Sequence, residues 1–514
     1  MCGILCVAGS VDSREFKNGM KKIRARGPDA TCITIQDSVM MGFARLAING
    51  NNDTSMQPFQ DGSIRLMCNA EVFNHDKLQR DLKYTSISGS DCEVLMPGFK
   101  QWPFPELCSR MDAEFALIVH DMESKILWIA RDPYGVRPLF WGITANSSYV
   151  FSSELKGISD MCETVQQFNP GWYMALDVKS NTRLVQYSTY RHHVLAPPTL
   201  MSTREASDMI ACLLEDAVNK RLMCQNGGVC CLLSGGLDSS LVAALAQKHS
   251  NLPISTYSIG MEGSPDLEYA KKVANHIGSI HKTICYPKEI FLQAIPDVIR
   301  AIESYDTTTV RASVGNYLVG KFIKDFSKHK VVLNGDYADE VCGGYLYMKL
   351  APDDEAFEGE CKRLVGDIHY FDSLRSDRTI CAHGLEARAP FADKQFVEFY
   401  MKLARSVTSP PDKMEKYLLR KAFDGTNLLP HEILWRSKEA FSDGVSQQGQ
   451  SWYTMAAEHA EKMGFESEEE YYKSIFDECF GPKHRNVIPY KWMPRWCDAT
   501  DPSARTLKIY NISN

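Results

Sequence analysis

Up to about residue 190, apolar positions fall in short runs at 4–8, 31–35, 64–69, 115–121, 126–131 and 149–152, separated by turn-forming stretches such as Arg26-Gly27-Pro28-Asp29 and Asp61-Gly62. Runs of this length suit strands better than helices, so they predict a β-rich unit. One helical pattern stands out among them, around residues 92–102. Ala196-Pro197-Pro198-Thr199 then reads as a linker, because each proline fixes its own backbone and restricts the residue before it. Beyond it the period changes. Helical patterns at 203–221, 239–249 and 267–277 alternate with strand-like runs at 229–233 and 254–259. That alternation predicts an open α/β unit with a parallel sheet, since a crossover must carry the chain back to the same end. Two units of different class are therefore expected, at 2–195 and 205–514, with no internal repeat and no low-complexity tract.

Composition narrows the function classes. The 514 residues are 44% hydrophobic and 24% charged, ordinary for a globular chain with a sizeable core. Lys and Arg number 57 against 64 Asp and Glu, a net charge of -7 without a basic stripe, so nucleic acid is not an expected partner. No apolar run reaches the roughly 18 residues that a membrane helix needs. The start, Met1-Cys2-Gly3-Ile4-Leu5-Cys6, lacks a basic flank and a long apolar stretch, so no signal peptide is expected. The 17 cysteines form no CxxC…CxxC pattern, and Cys6, Cys68, Cys230, Cys231 and Cys342 lie in apolar company. They read as free thiols of a reducing, cytoplasmic compartment. The 13 histidines show no H-E-x-x-H spacing, which argues against zinc. The charge-rich stretch 351–361 is expected to be a solvated loop or helix face, and Tyr345, Tyr347, Tyr370 and Phe371 to be core.

The strongest local signal is Cys231-Leu232-Leu233-Ser234-Gly235-Gly236-Leu237-Asp238-Ser239-Ser240, which leaves a strand-like run and opens a helical one. Paired glycines let the backbone approach an anion, and the free N–H groups of a helix start supply positive charge. Ser234, Ser239 and Ser240 add hydroxyl donors, and Asp238 can hold Mg²⁺ beside phosphates. A Walker loop would end in Gly-Lys-Ser/Thr, which is missing. The loop resembles instead that of enzymes which split ATP into AMP and pyrophosphate while adenylating a substrate. Its bland alternative is a glycine-rich turn that packs a helix on a strand.

Cys2 becomes the first residue once Met1 is removed, and its thiol then sits beside an α-amine of pKa ~8, a fitting general base. Alone, a cysteine at position two is usually an accident. Four stretches change that reading: Arg26-Gly27-Pro28-Asp29, Ala44-Arg45-Leu46-Ala47-Ile48, Asn69-Ala70-Glu71-Val72-Phe73-Asn74 and Gly89-Ser90-Asp91-Cys92-Glu93. In order and spacing they resemble the class II glutamine amidotransferases, whose fold is an α+β N-terminal-nucleophile (Ntn) hydrolase sandwich of αββα layers. The resemblance implies that Cys2 attacks the glutamine side-chain amide and that Arg45 holds the α-carboxylate by a bidentate pair. It further implies that Glu71 and Asp91 grip the α-ammonium group, and that Asn69 and the backbone N–H of Ala70 form the oxyanion hole.

Downstream, four more strings are highly patterned: Glu303 through Ser313, Gly384 through Phe391, Lys416 through Phe423, and Trp435-Arg436-Ser437-Lys438-Glu439-Ala440-Phe441-Ser442-Asp443-Gly444. With the tail Asp501-Pro502-Ser503-Ala504-Arg505-Thr506, they are similar to the glutamine-hydrolysing asparagine synthetases over nearly the whole chain. This implies a second unit that is an α/β adenine-nucleotide α-hydrolase-like domain with a parallel sheet. The implied substrates are glutamine, aspartate and ATP, with Mg²⁺ accompanying ATP, an aspartyl-adenylate intermediate, and a protected route for ammonia between the sites. By resemblance Leu232, Ser234, Gly235, Gly236, Asp238, Ser239, Ile259 and Gly335 would surround ATP, and Asp238 and Asp339 would bind the metal. Lys438 would stabilise the leaving pyrophosphate, and Thr308, Thr309 and Arg311 would lie near the intermediate.

Two departures matter. The family carries glycine where this chain has Ala70; a positive φ there would cost alanine about 1 kcal/mol, and its methyl would crowd glutamine. Asn334-Gly335-Asp336-Tyr337-Ala338-Asp339-Glu340 stands in place of Ser-Gly-Glu-Gly-(small)-Asp-Glu. Asp336 thus replaces a glutamate that assists ammonia's attack, and Tyr337 a glycine, which predicts a narrowed site or a new backbone path. Three alternatives stay open. A glutamine-fed amino-sugar synthase would have no use for the 234–240 loop, and a β-lactam-forming synthetase generally lacks the cysteine. The third is an ammonia-dependent or catalytically degenerate homologue retained for binding or regulation. Oligomeric state is open, a homodimer being one outcome.

Overall fold

The computed structural model describes residues 1–50, 53–180, 182–185, 201–437, 444–446 and 451–503. The expected linker at 196–199, Lys438 with the 439–443 part of its string, and 504–506 of the tail string lie outside the described residues.

Two six-stranded antiparallel sheets build the first half. One runs, in spatial order, Thr164–Gln167, Phe140–Ile143, Tyr149–Ser152, Gly3–Ala8, Val39–Arg45 and Ala30–Gln36. The other runs Thr182–Val185, Tyr173–Asp177, Ile126–Arg131, Ala113–Asp121, Ile64–Val72 and Phe59–Asp61. Alternation along the strands shows how they stack. Ile4, Cys6 and Ala8 enter a core shared with Met67, Ala116, Ile118 and Ile129 of the other sheet. Leu5 and Val7, pointing the opposite way, pack on Phe16, Met20 and Ile23 of the helix Ser13–Ile23. On the far side Leu66, Cys68, Phe115 and Leu117 pack on Leu78, Leu95 and Leu107 from the helices His75–Leu82, Leu95–Gln101 and Phe104–Arg110. The layers are therefore αββα, as expected. Central strands read as unbroken apolar runs because both of their faces are covered.

In the second half five parallel strands lie in the order Ile280–Cys285, Ser255–Gly260, Val229–Leu232, Val331–Leu333 and Glu386–Arg388. The chain steps outward to one side from Val229–Leu232, then returns to build the other side. That reversal opens a crevice at the C-terminal ends of the strands, where α/β folds bind ligands. The 233–236 loop leaves the central strand at this point and starts the helix Leu237–Lys248.

The halves share cores: Leu46, Ile48, Tyr134 and Val136 pack among second-half residues. A seam of buried ions accompanies them. Arg26 pairs with Glu154 at 3.0 Å and with Asp377 at 2.7 Å. Glu114 receives Arg137 and Arg221, each at 3.0 Å, and Arg221 reaches Asp393 at 2.8 Å. Such pairs contribute little net stability over apolar packing, but they penalise any docking that leaves one ion unpaired.

Two local expectations need correction. The 351–361 stretch is only partly solvated. It enters the helix Asp354–Asp367, where Glu360 is buried against Arg363 at 2.6 Å and accepts from the Tyr347 hydroxyl at 2.7 Å, because the helix turns that side chain inward. Tyr347 and Phe371 are core, but Tyr345 opens onto the ligand cavity described below. Cys6, Cys68, Cys230, Cys231 and Cys342 are buried free thiols. No helix among the described residues is long and apolar enough to cross a membrane.

Candidate active sites

Cys2 immediately precedes the strand Gly3–Ala8 and is half-buried, its sulfur 3.8 Å from the carbonyl oxygen of Leu46. Burial pushes the thiol up to about 11, while the chain's terminal ammonium and the Leu46 contact act the other way. It is therefore a thiol rather than a thiolate near neutral pH and needs a base to become a nucleophile. Gly3 lies opposite Ala44, which brings Cys2 beside the Arg45 end of Val39–Arg45. Arg45 is buried, and its guanidinium donates to the Gly50 carbonyl and the Ser55 hydroxyl.

Asn69 and Glu71 are two apart on Ile64–Val72 and so share the face of Met67, which looks into the inter-sheet core on which Cys2 also packs. Asn69 Nδ2 is buried without a hydrogen-bond partner, a donor held ready for an oxygen. Asp91 opens the turn Asp91–Val94 and accepts from the Val72 N–H at 2.8 Å, which pins it to the end of the same strand. Burial raises both carboxyls, that of Glu71 well above its usual range, and the negative charge of Asp91 raises Glu71 further. Two buried acid groups therefore stand together at the end of this strand.

The expected cost at Ala70 does not arise. The residue sits inside the strand, paired opposite Phe115, and is not among the positive-φ residues. Its methyl packs into the helix-side core, away from the face of Asn69 and Glu71. An extended backbone suits alanine as well as glycine.

The second site is a cavity of about 240 Å³ at the C-terminal end of the parallel sheet. Leu232, Ser234, Gly236, Asp238, Ser239, Ile259, Thr308, Gly335, Asp336 and Asp339 all line it. Ser234 and Ser239 join their hydroxyls at 2.9 Å, and the Gly236 N–H donates to Ser234 Oγ at 3.3 Å, which shapes the loop around the helix start. Gly235 has φ +77, and a Cβ there would meet Ala270 N and Tyr269 Cβ at 2.5 Å, so the turn demands glycine. Gly335 lies so close to the helix start that a Cβ would stand 2.6 Å from Ser239 N.

Tyr337 adopts φ +76, the left-handed conformation that glycine takes freely, so the predicted new backbone path is not taken. The strain, about 1 kcal/mol, is offset by a buried ring whose hydroxyl donates to Ser373 Oγ at 2.7 Å. The ring narrows the cavity it lines. Tyr337→Phe is expected to lower unfolding stability by about 1 kcal/mol in urea titration, and an unchanged midpoint would deny the anchor.

Thr309 and Arg311 are placed otherwise. Thr309 donates its hydroxyl to Asp306 at 2.8 Å and borders a smaller adjoining pocket. Arg311 is not brought to the cavity: its guanidinium is bidentate to Glu468 and pairs with Asp501 at 2.8 Å, which ties the C-terminal segment to the helix Thr307–Phe326.

Among the cavity residues that the sequence did not single out, four bear on its charge. Lys416 is buried with its ammonium 2.6 Å from both Asp238 and Asp339. Arg436 donates to the Gly235 carbonyl at 3.2 Å and pairs with Asp266 at 3.1 Å. Both stood in strings singled out as patterned, so their basic character was the available signal. Arg375, 2.8 Å from Asp336, and Asp372, 2.8 Å from Arg375, come from the helix Asp372–Cys381, which carried no motif.

A family described as "Glutamine amidotransferase domain" matches residues 1–206, and one described as "Asparagine synthase" matches 209–360 and 349–496. The chain is 37% identical over 562 residues to the asparagine synthetase (glutamine-hydrolyzing) of Bos taurus, covering 100% of both chains. It is 38% identical over 559 residues to that of Gallus gallus, covering 99% of both. The chain belongs to the glutamine-hydrolysing asparagine synthetases. Homo sapiens has a further asparagine synthetase, 37% identical over 559 residues with 99% of both chains covered. The chain carries a cysteine at position two, at the head of an antiparallel-sheet strand, and a serine–glycine loop at 234–240, at the end of a parallel-sheet strand.

Proposed function

We propose that the chain makes L-asparagine from L-aspartate, with ammonia from glutamine hydrolysis and with ATP split to AMP and diphosphate. One observation carries this reading: the likeness to asparagine synthetases runs from end to end, across both halves. We assign hydrolysis to 2–195 and synthesis to 205–514.

In the first half, removal of Met1 leaves an α-amine on Cys2. Met1 is buried in the folded chain, 1% exposed, so its removal must precede folding. The amine takes the proton of a thiol that burial keeps neutral, and the sulfur attacks the glutamine side-chain carbonyl. Asn69 Nδ2 and the Ala70 N–H meet the developing oxyanion; the unpartnered Nδ2 supports this role. Arg45 holds the α-carboxylate, and Glu71 with Asp91 holds the α-ammonium group.

In the second half the loop and helix start at 234–239 cradle the phosphates of ATP, with Leu232, Ile259 and Gly335 against the nucleoside. Asp238 and Asp339 fit Mg²⁺: they face each other across a cation, and Asp238 Oδ1 is buried without a hydrogen-bond partner. The lining points the same way. Its described residues include seven carboxylates (Asp238, Asp266, Asp336, Asp339, Glu340, Asp372, Glu415) and four cations (Arg375, Lys416, Arg420, Arg436). Cations that accompany a triphosphate would find acidic partners in this lining. Asp238 and Asp339 would hold Mg²⁺, which would supply positive charge against the phosphates. Thr308 borders the aspartate end, and Lys438, by its place in its string, stabilises the leaving diphosphate. All 17 cysteines are free, which fits a cytoplasmic setting.

Asp336 serves the attack of ammonia on the adenylate. Burial raises its carboxyl, opposed by Arg375, and its Oδ2 is buried without a hydrogen-bond partner. Asp336→Asn is expected to lower ammonium-dependent asparagine formation about 100-fold while glutamine hydrolysis persists. An unaltered synthetic rate would remove Asp336 from the mechanism. The reading as a whole is tested by AMP release with aspartate, ATP and either ammonium or glutamine; no AMP from either nitrogen source would refute it.

A further inference from the structure

The glutamine site of the first half and the parallel sheet of the second half share one side chain. Arg388 ends the edge strand Glu386–Arg388 and is fully buried. Its Nε donates to Glu386 at 2.7 Å, and its Nη1 donates to the main-chain carbonyls of Arg221 at 2.8 Å and Met223 at 2.5 Å. These bonds fix the planar guanidinium, and its Nη2 pairs with Glu71 Oε1 at 2.9 Å.

Glu71 takes its second neighbour on the same oxygen, for Asn49 Nδ2 donates to Oε1 at 2.7 Å. Both contacts therefore restrain one oxygen and leave Oε2 for a ligand. We propose that Arg388, supplied by the second half, is a positioning residue of the glutamine site, orienting Glu71 through Oε1 so that Oε2 meets the α-ammonium group. This rests on the assignment of Glu71 to that group. Charges around Glu71 support it. Burial drives the carboxyl up, Asp91 and Glu386 add to the rise, and Arg388 opposes it more than Arg137 does. The main chain of Arg388 touches the other site as well: its carbonyl accepts from the Asn334 N–H at 3.1 Å, and Asn334 lines the nucleotide cavity. The glutaminase half would thus be incomplete without its partner half.

The test uses the full chain carrying Arg388→Gln or Arg388→Lys. Glutamate release from glutamine and AMP release with aspartate and ammonium are measured on the same preparations. Arg388→Gln should raise KM for glutamine about tenfold or more, with kcat changed less than about threefold. The acid limb of kcat/KM for glutamine should move to higher pH, because Glu71 loses the cation that most favours its ionised form. Arg388→Lys restores the charge without the fork and should recover part of the loss. An unmoved KM and acid limb in Arg388→Gln would overturn the proposal. So would an equal fall in both activities that lysine does not mend, which is the mark of a purely structural residue. Failure of the unaltered chain to release glutamate would strike the functional reading instead, since no glutamine site would then exist.

Discussion

Cys2→Ala is expected to lower glutamine-dependent asparagine formation by about 10³-fold or more, while formation from ammonium stays within about twofold. The asymmetry follows from the architecture. Cys2 lies at the head of a strand in the antiparallel half, whereas the nucleotide cavity lies at the end of the parallel sheet. No neighbouring sulfur can take over. Cys68 and Cys92 are buried, 1% and 4% exposed, and the contact with Cys68, together with burial, raises the Cys92 thiol well above its usual range. Losing one sulfur from a half-buried position leaves only a small gap, so the synthetic half should fold as before. Steady-state asparagine release with each nitrogen source decides the matter. If both rates fell together, the division into two sites would be wrong.

Much of this was legible in the chain, for reasons that differ between the halves. The strands at 126–131 and 149–152 fall where their apolar runs place them, and the αββα layering explains why those runs are unbroken. The 234–240 loop was readable because glycine at a positive φ and a helix start leave a local signature. Arg375 and Asp372 were not, since their importance comes from which distant residues they meet. A buried arginine is spelled like an exposed one. Nor could the sequence show that Arg311, which belongs to a patterned string, pairs with Glu468 and Asp501. The departures at Ala70 and Tyr337 could be named from sequence but not weighed. Alanine is harmless on an extended strand, and tyrosine keeps the glycine-like turn by fastening its hydroxyl to Ser373.

Lys416→Met is expected to lower asparagine formation 10²- to 10³-fold with either nitrogen source, leaving glutamine hydrolysis in place. Lys416 is 1% exposed and itself adopts φ +56, a conformation an ordinary side chain takes only when its surroundings impose it. The fit is close: a Cβ on Gly344 would stand 2.1 Å from Lys416 Cε. Burial acts to lower the ammonium's pKa, but Asp238 and Asp339 together raise it, so the lysine stays charged throughout the working range. Methionine keeps the length and removes the charge, which leaves two largely buried carboxylates facing each other at a cost of about 3 kcal/mol. A divalent cation can replace the missing charge, whereas in the unaltered chain it must share the carboxylates with the ammonium. Magnesium should therefore raise the melting temperature of Lys416→Met by more than that of the unaltered protein. Scanning both proteins across a magnesium series reads this without any turnover. Equal shifts would mean that Asp238 and Asp339 are not a cation site, and that the lysine between them stands in for nothing.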